Sequence, residues 1–260
     1  MTVPRIELSG ISKQFVHPDG TVFRAVEDIT LRVAPGTFVS LIGPSGCGKS
    51  TLFNIIAGLQ EPTRGAVIID GKDATGMAGA VGYMLQKDLL FPWRTVLDNI
   101  VLGMEIRGAS VKEARAYAYP FLAKYGLGGF EHAYPAALSG GMRQRAALLR
   151  TLLFDSEIIL LDEPFGALDE MTREHLNEEL LTLREQESWT ALFVTHSVME
   201  AVFLSNRIIV MAANPGRVHA EIPVPLPYPR TPETRLTPEF QALVARISRV
   251  LRSVEGAVEA

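Results

Sequence analysis

The 260-residue sequence predicts an α/β fold with a mostly parallel core sheet. Three observations support this. Five short, nearly continuous apolar segments have the composition of strands that are buried on both faces. Segments with the apolar spacing of helices separate them. A glycine-rich loop, GPSGCGKST at 43–51, stands between the first of these strands and a helical segment.

The predicted strands follow from composition and alternation. Near the N-terminus, RIELSGISKQF and VFRAVEDITLRV alternate polar and apolar residues, so they predict antiparallel strands beside the main sheet. The buried strands are TFVSLI (37–42), AVGYML (80–85), EIILL (157–161), ALFVT (191–195) and RIIVM (207–211).

Helical spacing is clear in three segments, which begin near Thr51, Met142 and Leu168. The third stripe runs through Leu168, Met171, His175, Leu180 and Leu183. The stretch from 87 to about 137 has no buried-strand pattern and reads as a mainly helical insertion. The proline-rich segment IPVPLPYPRTPETRLTP is expected to be extended. A last amphipathic helix follows, with Phe240, Leu243, Val244, Ile247 and Leu251 on one face.

Composition excludes several classes of protein. The formal net charge of −4 gives no basic footprint, so no nucleic-acid partner is expected. A single cysteine, Cys47, excludes an internal disulfide framework and a cysteine-rich metal site. No apolar run approaches the length of a membrane span, and the N-terminus has no signal-like core. We therefore expect a cytoplasmic protein that meets a membrane only through a partner.

The loop at 43–51 has the pattern GxxxxGK[ST], in the strand–loop–helix context that phosphate binding requires. Backbone amides around three glycines would surround phosphate oxygens, Lys49 would reach the β and γ phosphates, and Ser50 would bind Mg²⁺. The alternative is a plain glycine turn that caps a helix. Because thiol pKa values fall at helix N-termini, we also expect alkylation of Cys47 to block nucleotide binding. The full predicted segment comprises Gly43, Pro44, Ser45, Gly46, Cys47, Gly48, Lys49, Ser50 and Thr51.

Acidic and basic side chains follow other predicted strands. IILLDEP ends an apolar strand in Asp162, a candidate Mg²⁺ partner, and Glu163, which would polarise an attacking water. The alternative is a strand that ends in solvated acids. His196 follows ALFVT and could equally be a structural hydrogen-bonding residue. Together with Gly43 and Gln86, these positions lie at the carboxyl ends of predicted strands, which in a parallel sheet face one crevice.

LSGGMRQR, at 138–145, resembles the signature motif of ATP-binding cassette (ABC) ATPases. Physically, a serine and two glycines that open a helix form a second anion-binding site. The other motifs of that family stand in order over roughly residues 5 to 220. They are the phosphate loop, Gln86, Ser139-Gly140-Gly141, Asp162-Glu163, Ala167-Leu168-Asp169 and His196, with Phe15 where the family places an aromatic residue that stacks on adenine.

The resemblance implies a phosphate-loop NTPase fold of the ABC nucleotide-binding type, with an N-terminal antiparallel β subdomain and a helical subdomain at about 87–155. It places the ATPase domain at 1–236 and the C-terminal helix at 237–260. It also implies ATP and Mg²⁺ as ligands. Ser50, Gln86 and Asp162 would arrange Mg²⁺.

For the reaction, the resemblance implies that Glu163 is the general base, that His196 contacts the γ-phosphate, and that Ser139 and Gly141 reach the ATP of a second subunit. Two departures from the family pattern are Met142, in place of glutamine, and Asn206, in place of an aspartate that could pair with Arg207.

The segment KDLLFPWRTVLDNI after Gln86 is similar to importer subunits of the nitrate, sulfonate and taurine branch, which includes importers of pyrimidine thiamine precursors. Phe91, Pro92 and Trp93 either line the groove for a membrane subunit or pack the helical insertion. The implied partners are a second ABC subunit, expected to be an identical copy, separate transmembrane permease subunits and, indirectly, an extracytoplasmic binding protein. The implied location is the cytoplasmic face of the cell membrane.

Three alternatives remain. The first is a non-transport ABC ATPase. Long coiled-coil insertions, zinc-binding cysteine clusters or two cassettes in one chain would favour it, and this sequence has none of these features. A small-molecule kinase would not need LSGG. A cassette that only clamps around ATP would not need Glu163.

Overall fold

The computed structural model describes residues 3–154, 156–166, 168–187 and 189–255. Ala167 of the predicted motif and residues 256–260 of the predicted C-terminal helix lie outside them. The chain forms two compact units. The first holds the described residues up to Ala80 and from Asn177 onward, and the second holds Val81–Leu176.

The first unit contains an antiparallel sheet, as the alternating N-terminal sequence predicts. Its strands are β1 (Ile6–Val16), β2 (Val22–Val33), β4 (Arg64–Ile69) and β5 (Lys72–Asp73), in the order β2-β1-β4-β5. The sequence did not predict β4 and β5. Bulges in β1 interrupt its register with both neighbours, so β4 joins the sheet through a non-local, irregular pairing.

The first unit also contains a group of parallel strands. Fully buried β3 (Phe38–Ile42) pairs in parallel with β8 (Thr190–Val194) and with β9 (Arg207–Ala212). A further strand, β10 (Arg217–Pro223), pairs antiparallel with β9 and was not predicted. Helices α1 (Lys49–Ile56) and α7 (Val198–Leu204) follow β3 and β8. The predicted α/β class is therefore confirmed.

The C-terminal helix α8 (Pro238–Glu255) packs against α7 and β9. Phe240, Ile247 and Val254 are buried, one every seven residues, so one face of α8 belongs to the core of the first unit. No helix in the described part of the chain is both long and apolar enough to span a membrane. The predicted domain boundary near 236 stays a prediction.

The second unit contains a parallel strand pair and the predicted helical insertion. Strands β6 (Gly82–Met84) and β7 (Ile158–Asp162) pair in parallel, with Met84 opposite Leu161. Between them in sequence, the described residues form the α-helices α2 (Val96–Ile100), α3 (Leu102–Ile106), α4 (Val111–Lys124) and α5 (Gly140–Leu152).

Helix α6 (Glu170–Glu187) corrects part of the predicted apolar stripe. Met171 is 84% exposed, and His175 is exposed as well. Leu168 is buried but precedes the helix, so it does not set the helical face. The buried leucines of the described helix are Leu176, Leu180, Leu181 and Leu183.

Asn206 and Arg207 show how the chain accommodates the missing aspartate. The Asn206 Oδ1 atom accepts hydrogen bonds from the Phe38 backbone N (2.8 Å) and from Arg184 Nη2 (2.8 Å). Arg207 instead forms an ion pair with Glu221 at 3.1 Å. The arginine therefore keeps an acidic partner, on the neighbouring strand β10.

Candidate functional site

The phosphate loop of the first unit connects β3 to α1, and its lysine folds back onto it. Lys49 Nζ donates hydrogen bonds to the carbonyl oxygens of Gly43 (2.8 Å) and Pro44 (3.1 Å). The side chain is buried, whereas Ser45, Gly46 and Ser50 are exposed. The loop thus holds one cation against its own carbonyls and presents a backbone segment and the Ser50 side chain to solvent.

Two glycines of this loop are required by close contacts. A Cβ atom at Gly43 would lie 2.6 Å from the Met211 carbonyl oxygen. Gly48, the N-cap of α1, has φ 86°, and a Cβ there would lie 2.4 Å from Val26 Cγ1. Because both spaces are closed by neighbouring strands, the loop can keep this shape only with glycine at these positions.

Cys47 does not have the reactive character that its helix-terminal position predicts. Its side chain is fully buried. Burial raises the pKa of the Cys47 thiol, and the nearby Lys49 ammonium, 3.5 Å from Sγ, only partly offsets this effect. The expectation of a lowered pKa is therefore wrong, because desolvation outweighs the helix terminus and the cation.

Phe15, the predicted adenine-stacking residue, lies half-buried on β1. It is paired with Phe23 of β2, and the Lys13 ammonium lies 5.4 Å from the centre of its ring. Ala25 lies two residues after Phe23 on β2, and its carbonyl oxygen would be 2.8 Å from a Cβ atom at Gly48. The strand pair that carries Phe15 therefore reaches the phosphate loop.

His196 follows β8 as predicted and is exposed. Leu41 of β3 is paired with Val194 of β8 in parallel, and the Thr195 backbone N donates to the Leu41 carbonyl at 3.4 Å. The loops that carry Gly43 and His196 thus leave the same edge of the sheet. The structure brings these two predicted positions to one side of the first unit.

In the second unit, β6 and β7 bring Gln86 and the two acids together. Gln86 Nε2 donates to Glu163 Oε2 at 3.0 Å, and Gln144 Nε2 donates to the Glu163 carbonyl oxygen at 3.4 Å. Glu163 has φ 51°, a left-handed conformation that is uncommon for a residue with a side chain. Such a conformation persists where the surroundings fix it, and it is frequent at functional sites.

Asp162 ends β7 and is almost fully buried, at 2% exposure. The Tyr83 hydroxyl donates a hydrogen bond to its carboxylate. Burial, together with the negative charge of Asp162, raises the pKa of Tyr83 well above its usual value. Tyr83 therefore stays a neutral hydrogen-bond donor to the acid beside it.

The side chains predicted to serve Mg²⁺ fit that ion chemically. Asp162 offers a carboxylate, Ser50 a hydroxyl and Gln86 an amide oxygen, which are the hard oxygen donors that Mg²⁺ prefers. Within the described ranges, no cluster of three or more His, Cys, Asp or Glu could hold a metal. Mg²⁺ commonly binds through one or two carboxylates plus substrate phosphates, so a single protein carboxylate does not argue against it.

Ser139 begins the predicted second anion-binding site. Its Oγ atom accepts a hydrogen bond from the Met142 backbone N at 3.2 Å, which caps the N-terminus of α5. Ser139 and Gly140 are exposed. A Cβ at Gly141 would lie 3.0 Å from Leu168 Cδ2, so Gly141, the third residue of the segment Ser139-Gly140-Gly141, is closely packed.

Arginines of α5 fix the loop after Gln86, an interaction that the sequence analysis missed. Arg143 pairs with Asp88 at 3.1 Å. Arg150 donates to the carbonyl oxygens of Asp88 (2.7 Å) and Leu89 (2.8 Å). The sequence does contain a signal for this interaction, since a spacing of seven residues places Arg143 and Arg150 on one face of α5.

An exposed aromatic pair stands at the end of this loop. The rings of Phe91 and Trp93 stack with centroids 5.0 Å apart and an interplanar angle of 9°. Trp93 is 71% exposed. The buried Asn99 side chain holds the backbone beneath them, accepting from Phe91 N at 2.7 Å and donating to three carbonyls. Trp93 therefore does not pack the interior of the helical insertion.

The chain is similar to several known proteins. Residues 26–166 match the family model described as ABC transporter. An aliphatic sulfonates import ATP-binding protein of Bacillus cereus is 44% identical over 239 residues, which cover 92% of this chain and 94% of the relative. An ABC transporter ATP-binding protein of Methanocaldococcus jannaschii is 44% identical over 248 residues, which cover 95% of this chain and 91% of the relative.

The dimeric structure of the bacterial ABC transporter cassette MJ0796 superposes with a TM-score of 0.78 at 33% identity, covering 84% of this chain and 98% of that one. A post-hydrolysis structure of the same cassette, bound to ADP and Pi, gives 0.77 at 34% identity, with the same coverage.

Proposed function

Since the chain belongs to the ABC transporter family and is an ATP-binding, ATP-hydrolysing cassette, we propose that it is the motor subunit of an importer. It closes as a dimer around two MgATP and drives uptake of a small solute through separate permease subunits. The proposed solutes are those of the nitrate, sulfonate and taurine branch or pyrimidine thiamine precursors. The similarity to a protein named for aliphatic sulfonate import supports that class.

For nucleotide binding, we assign the phosphates to the loop from Gly43 to Thr51 and the adenine to Phe15. Lys49 would exchange its carbonyl partners for β- and γ-phosphate oxygens, since an ammonium bonded to two neutral carbonyls gains by meeting an anion. Ser50, Gln86 and Asp162 would hold Mg²⁺, whose charge would neutralise the phosphates. His196, exposed at its strand end, would contact the γ-phosphate.

For hydrolysis, we assign Glu163 as the general base. The observation that carries this assignment is its carboxylate, held 3.0 Å from the Gln86 amide directly after buried Asp162. A carboxylate fixed in this way can orient a water and accept its proton. The strained backbone of Glu163 is consistent with a position that is fixed in advance.

Replacing Glu163 by glutamine tests this role. Because general-base catalysis contributes about 10²–10⁴-fold, Glu163→Gln should slow ATP hydrolysis at least about 100-fold and leave ATP affinity near that of the wild type. Glu170→Gln is the matched control, because the Glu170 side chain is 71% exposed and pairs with Arg173 one turn away on the same helix. Turnover of Glu163→Gln near the wild-type rate would remove Glu163 from the role of base.

For assembly, we infer that two copies are needed. The chain has one phosphate loop and one signature segment. In the proposed dimer, the α5 N-terminus, with Ser139, Gly140 and Gly141, binds the ATP of the second copy, as the amides of a capped helix N-terminus favour an anion. Similarity to a cassette solved as a dimer supports the same arrangement here.

For coupling to the membrane, we assign Phe91, Pro92 and Trp93 as the docking surface of a permease subunit at the cytoplasmic face. An extracytoplasmic binding protein would deliver the solute to the permease. Exposed stacked aromatics on a backbone fixed by Asn99 suit a binding surface, because little freedom is lost on contact.

Trp93→Ala tests the docking surface. It should reduce co-purification with co-expressed permease at least about tenfold, since buried aromatic anchors each contribute about 2 kcal/mol or more. Its ATP affinity should stay unchanged. Tyr119→Ala, which removes another exposed aromatic of the same unit, is the control. Undiminished assembly of Trp93→Ala would refute the assignment.

A further inference from the structure

A buried hydrogen-bond network involves residues that flank the exposed His196 in sequence. Thr195 and Glu200, on either side of it in sequence, are both buried. The Thr195 hydroxyl donates to Glu200 Oε2 in a short hydrogen bond. Asn177 of α6, also buried, donates its amide to Glu200 Oε1 at 3.5 Å. A buried carboxylate thus receives one donor on each oxygen, so both of its oxygens are occupied.

The same hydroxyl fixes the backbone on the other side of His196. Thr195 Oγ1 accepts a hydrogen bond from the Ser197 backbone N at 2.9 Å, which closes a tight turn with His196 at its centre. Upstream, the Thr195 backbone N is bonded to Leu41 of β3. The peptide group before Thr195 and the peptide group after His196 are therefore both held by hydrogen bonds.

Glu200 determines the direction in which this hydroxyl donates. A hydroxyl has one proton, and once that proton points at Glu200, its lone pairs are left to face the Ser197 N–H. Ser197 in turn caps α7 by accepting from the Glu200 backbone N at 3.3 Å. In a sequence of the form Ser-x-x-Glu, the glutamate usually returns to the N-cap amide. Here its carboxylate is engaged by Thr195 and Asn177 instead.

We propose that Thr195 and Glu200 are positioning residues that hold His196 in its working conformation. The inference rests on the proposed contact of His196 with the γ-phosphate. Neither residue needs to touch nucleotide. Their function is to fix the turn, so that the His196 imidazole already has the position in which it contacts ATP. No loop conformation then has to be selected when ATP binds.

The experiment compares Thr195→Val and Glu200→Ala with the wild-type protein in steady-state ATP hydrolysis, nucleotide binding and thermal unfolding. Since a misplacement of about 1 Å can cost about 10²-fold in rate, we expect kcat to fall about 10- to 100-fold with ATP affinity within about threefold. Thr195→Ser keeps the hydroxyl and should restore kcat. Glu200→Gln keeps the side-chain volume, but its single amide oxygen replaces two carboxylate oxygens and can face only one of the two donors. We therefore expect it to lower kcat about tenfold. This variant keeps the test valid if Thr195→Val or Glu200→Ala does not fold.

Thr190→Val is the matched control. Thr190 lies at the opposite end of β8, is equally buried, and its hydroxyl accepts from the Gly36 backbone N at 2.9 Å. Like Thr195→Val, it removes a buried threonine hydroxyl that accepts a hydrogen bond from a backbone N–H. A merely structural role for Thr195 would lower the melting temperature of Thr195→Val and leave kcat at the wild-type value, as expected for Thr190→Val.

Combination with His196→Ala separates this inference from the proposed function. If Thr195 acts through His196, Thr195→Val should cause no further loss of kcat in the His196→Ala background. An equal further loss there would overturn the proposal, as would a wild-type kcat in Thr195→Val or Glu200→Gln. A wild-type kcat in His196→Ala alone would refute the proposed role of the histidine and leave nothing for Thr195 to position.

Discussion

The two left-handed glycines of the phosphate loop should differ sharply in their tolerance of a methyl group. Gly46 and Gly48 have φ 78° and 86°, so alanine at either position costs about 1–2 kcal/mol of backbone strain. A Cβ at Gly46 would meet nothing within 4 Å. At Gly48 it would lie 2.4 Å from Val26 Cγ1 and 2.8 Å from the Ala25 carbonyl oxygen, and a backbone atom cannot move aside alone.

The additional overlap sets the expected difference between the two variants. Overpacking of this kind costs about 1–3 kcal/mol, so Gly48→Ala should lose about 2–5 kcal/mol and Gly46→Ala about 1–2 kcal/mol. At about 2–4 °C per kcal/mol for a chain of this size, Gly48→Ala should melt roughly 2–12 °C below Gly46→Ala.

Thermal unfolding of both variants without nucleotide measures this difference, because ligand contacts then do not enter. We expect Gly48→Ala also to weaken nucleotide binding, since the backbone of residue 48 must shift and this residue directly precedes Lys49. Equal melting temperatures for the two variants would show that β2 does not close the space beside Gly48.

The remaining predictions concern the tail segment and the thiol. Arg230 is buried and donates to four backbone carbonyls, three of them at or just past the end of α7, so Arg230→Met should lower the free energy of unfolding in urea by about 3–5 kcal/mol. The exposed Arg246→Met should change it by less than about 0.5 kcal/mol, and equal losses would contradict the account. Because Cys47 is buried and its pKa is raised, iodoacetamide should label it far more slowly at pH 8 in the folded protein than in urea. Equal rates of labelling would show that the thiol is accessible.

The strands and loops that carry the candidate site could be predicted from the sequence because their signals are local. Continuous apolar runs specify β3, β7, β8 and β9. The glycine-rich loop and the acids after β7 are contiguous motifs whose chemistry can be read residue by residue.

The remaining features depend on contacts between distant segments. Strand β4 pairs with β1 across an irregular register, and β10 is defined by its partner β9. The pKa of Cys47 is set by burial beneath the folded loop, which the helix-terminus argument does not include. The bond between Thr195 and Glu200 joins a strand end to the first turn of the following helix, and only the folded turn brings them together.

Light scattering on purified Glu163→Gln shows whether ATP closes two copies of this chain. Without nucleotide, we expect a particle of 28.4 kDa. With MgATP, we expect twice that mass, since the variant should bind ATP and not hydrolyse it. A Glu163→Gln variant that also carries Lys49→Ala should stay a monomer. A Glu163→Gln protein that binds MgATP and remains a monomer would contradict the claim that this chain forms the proposed two-site dimer on its own.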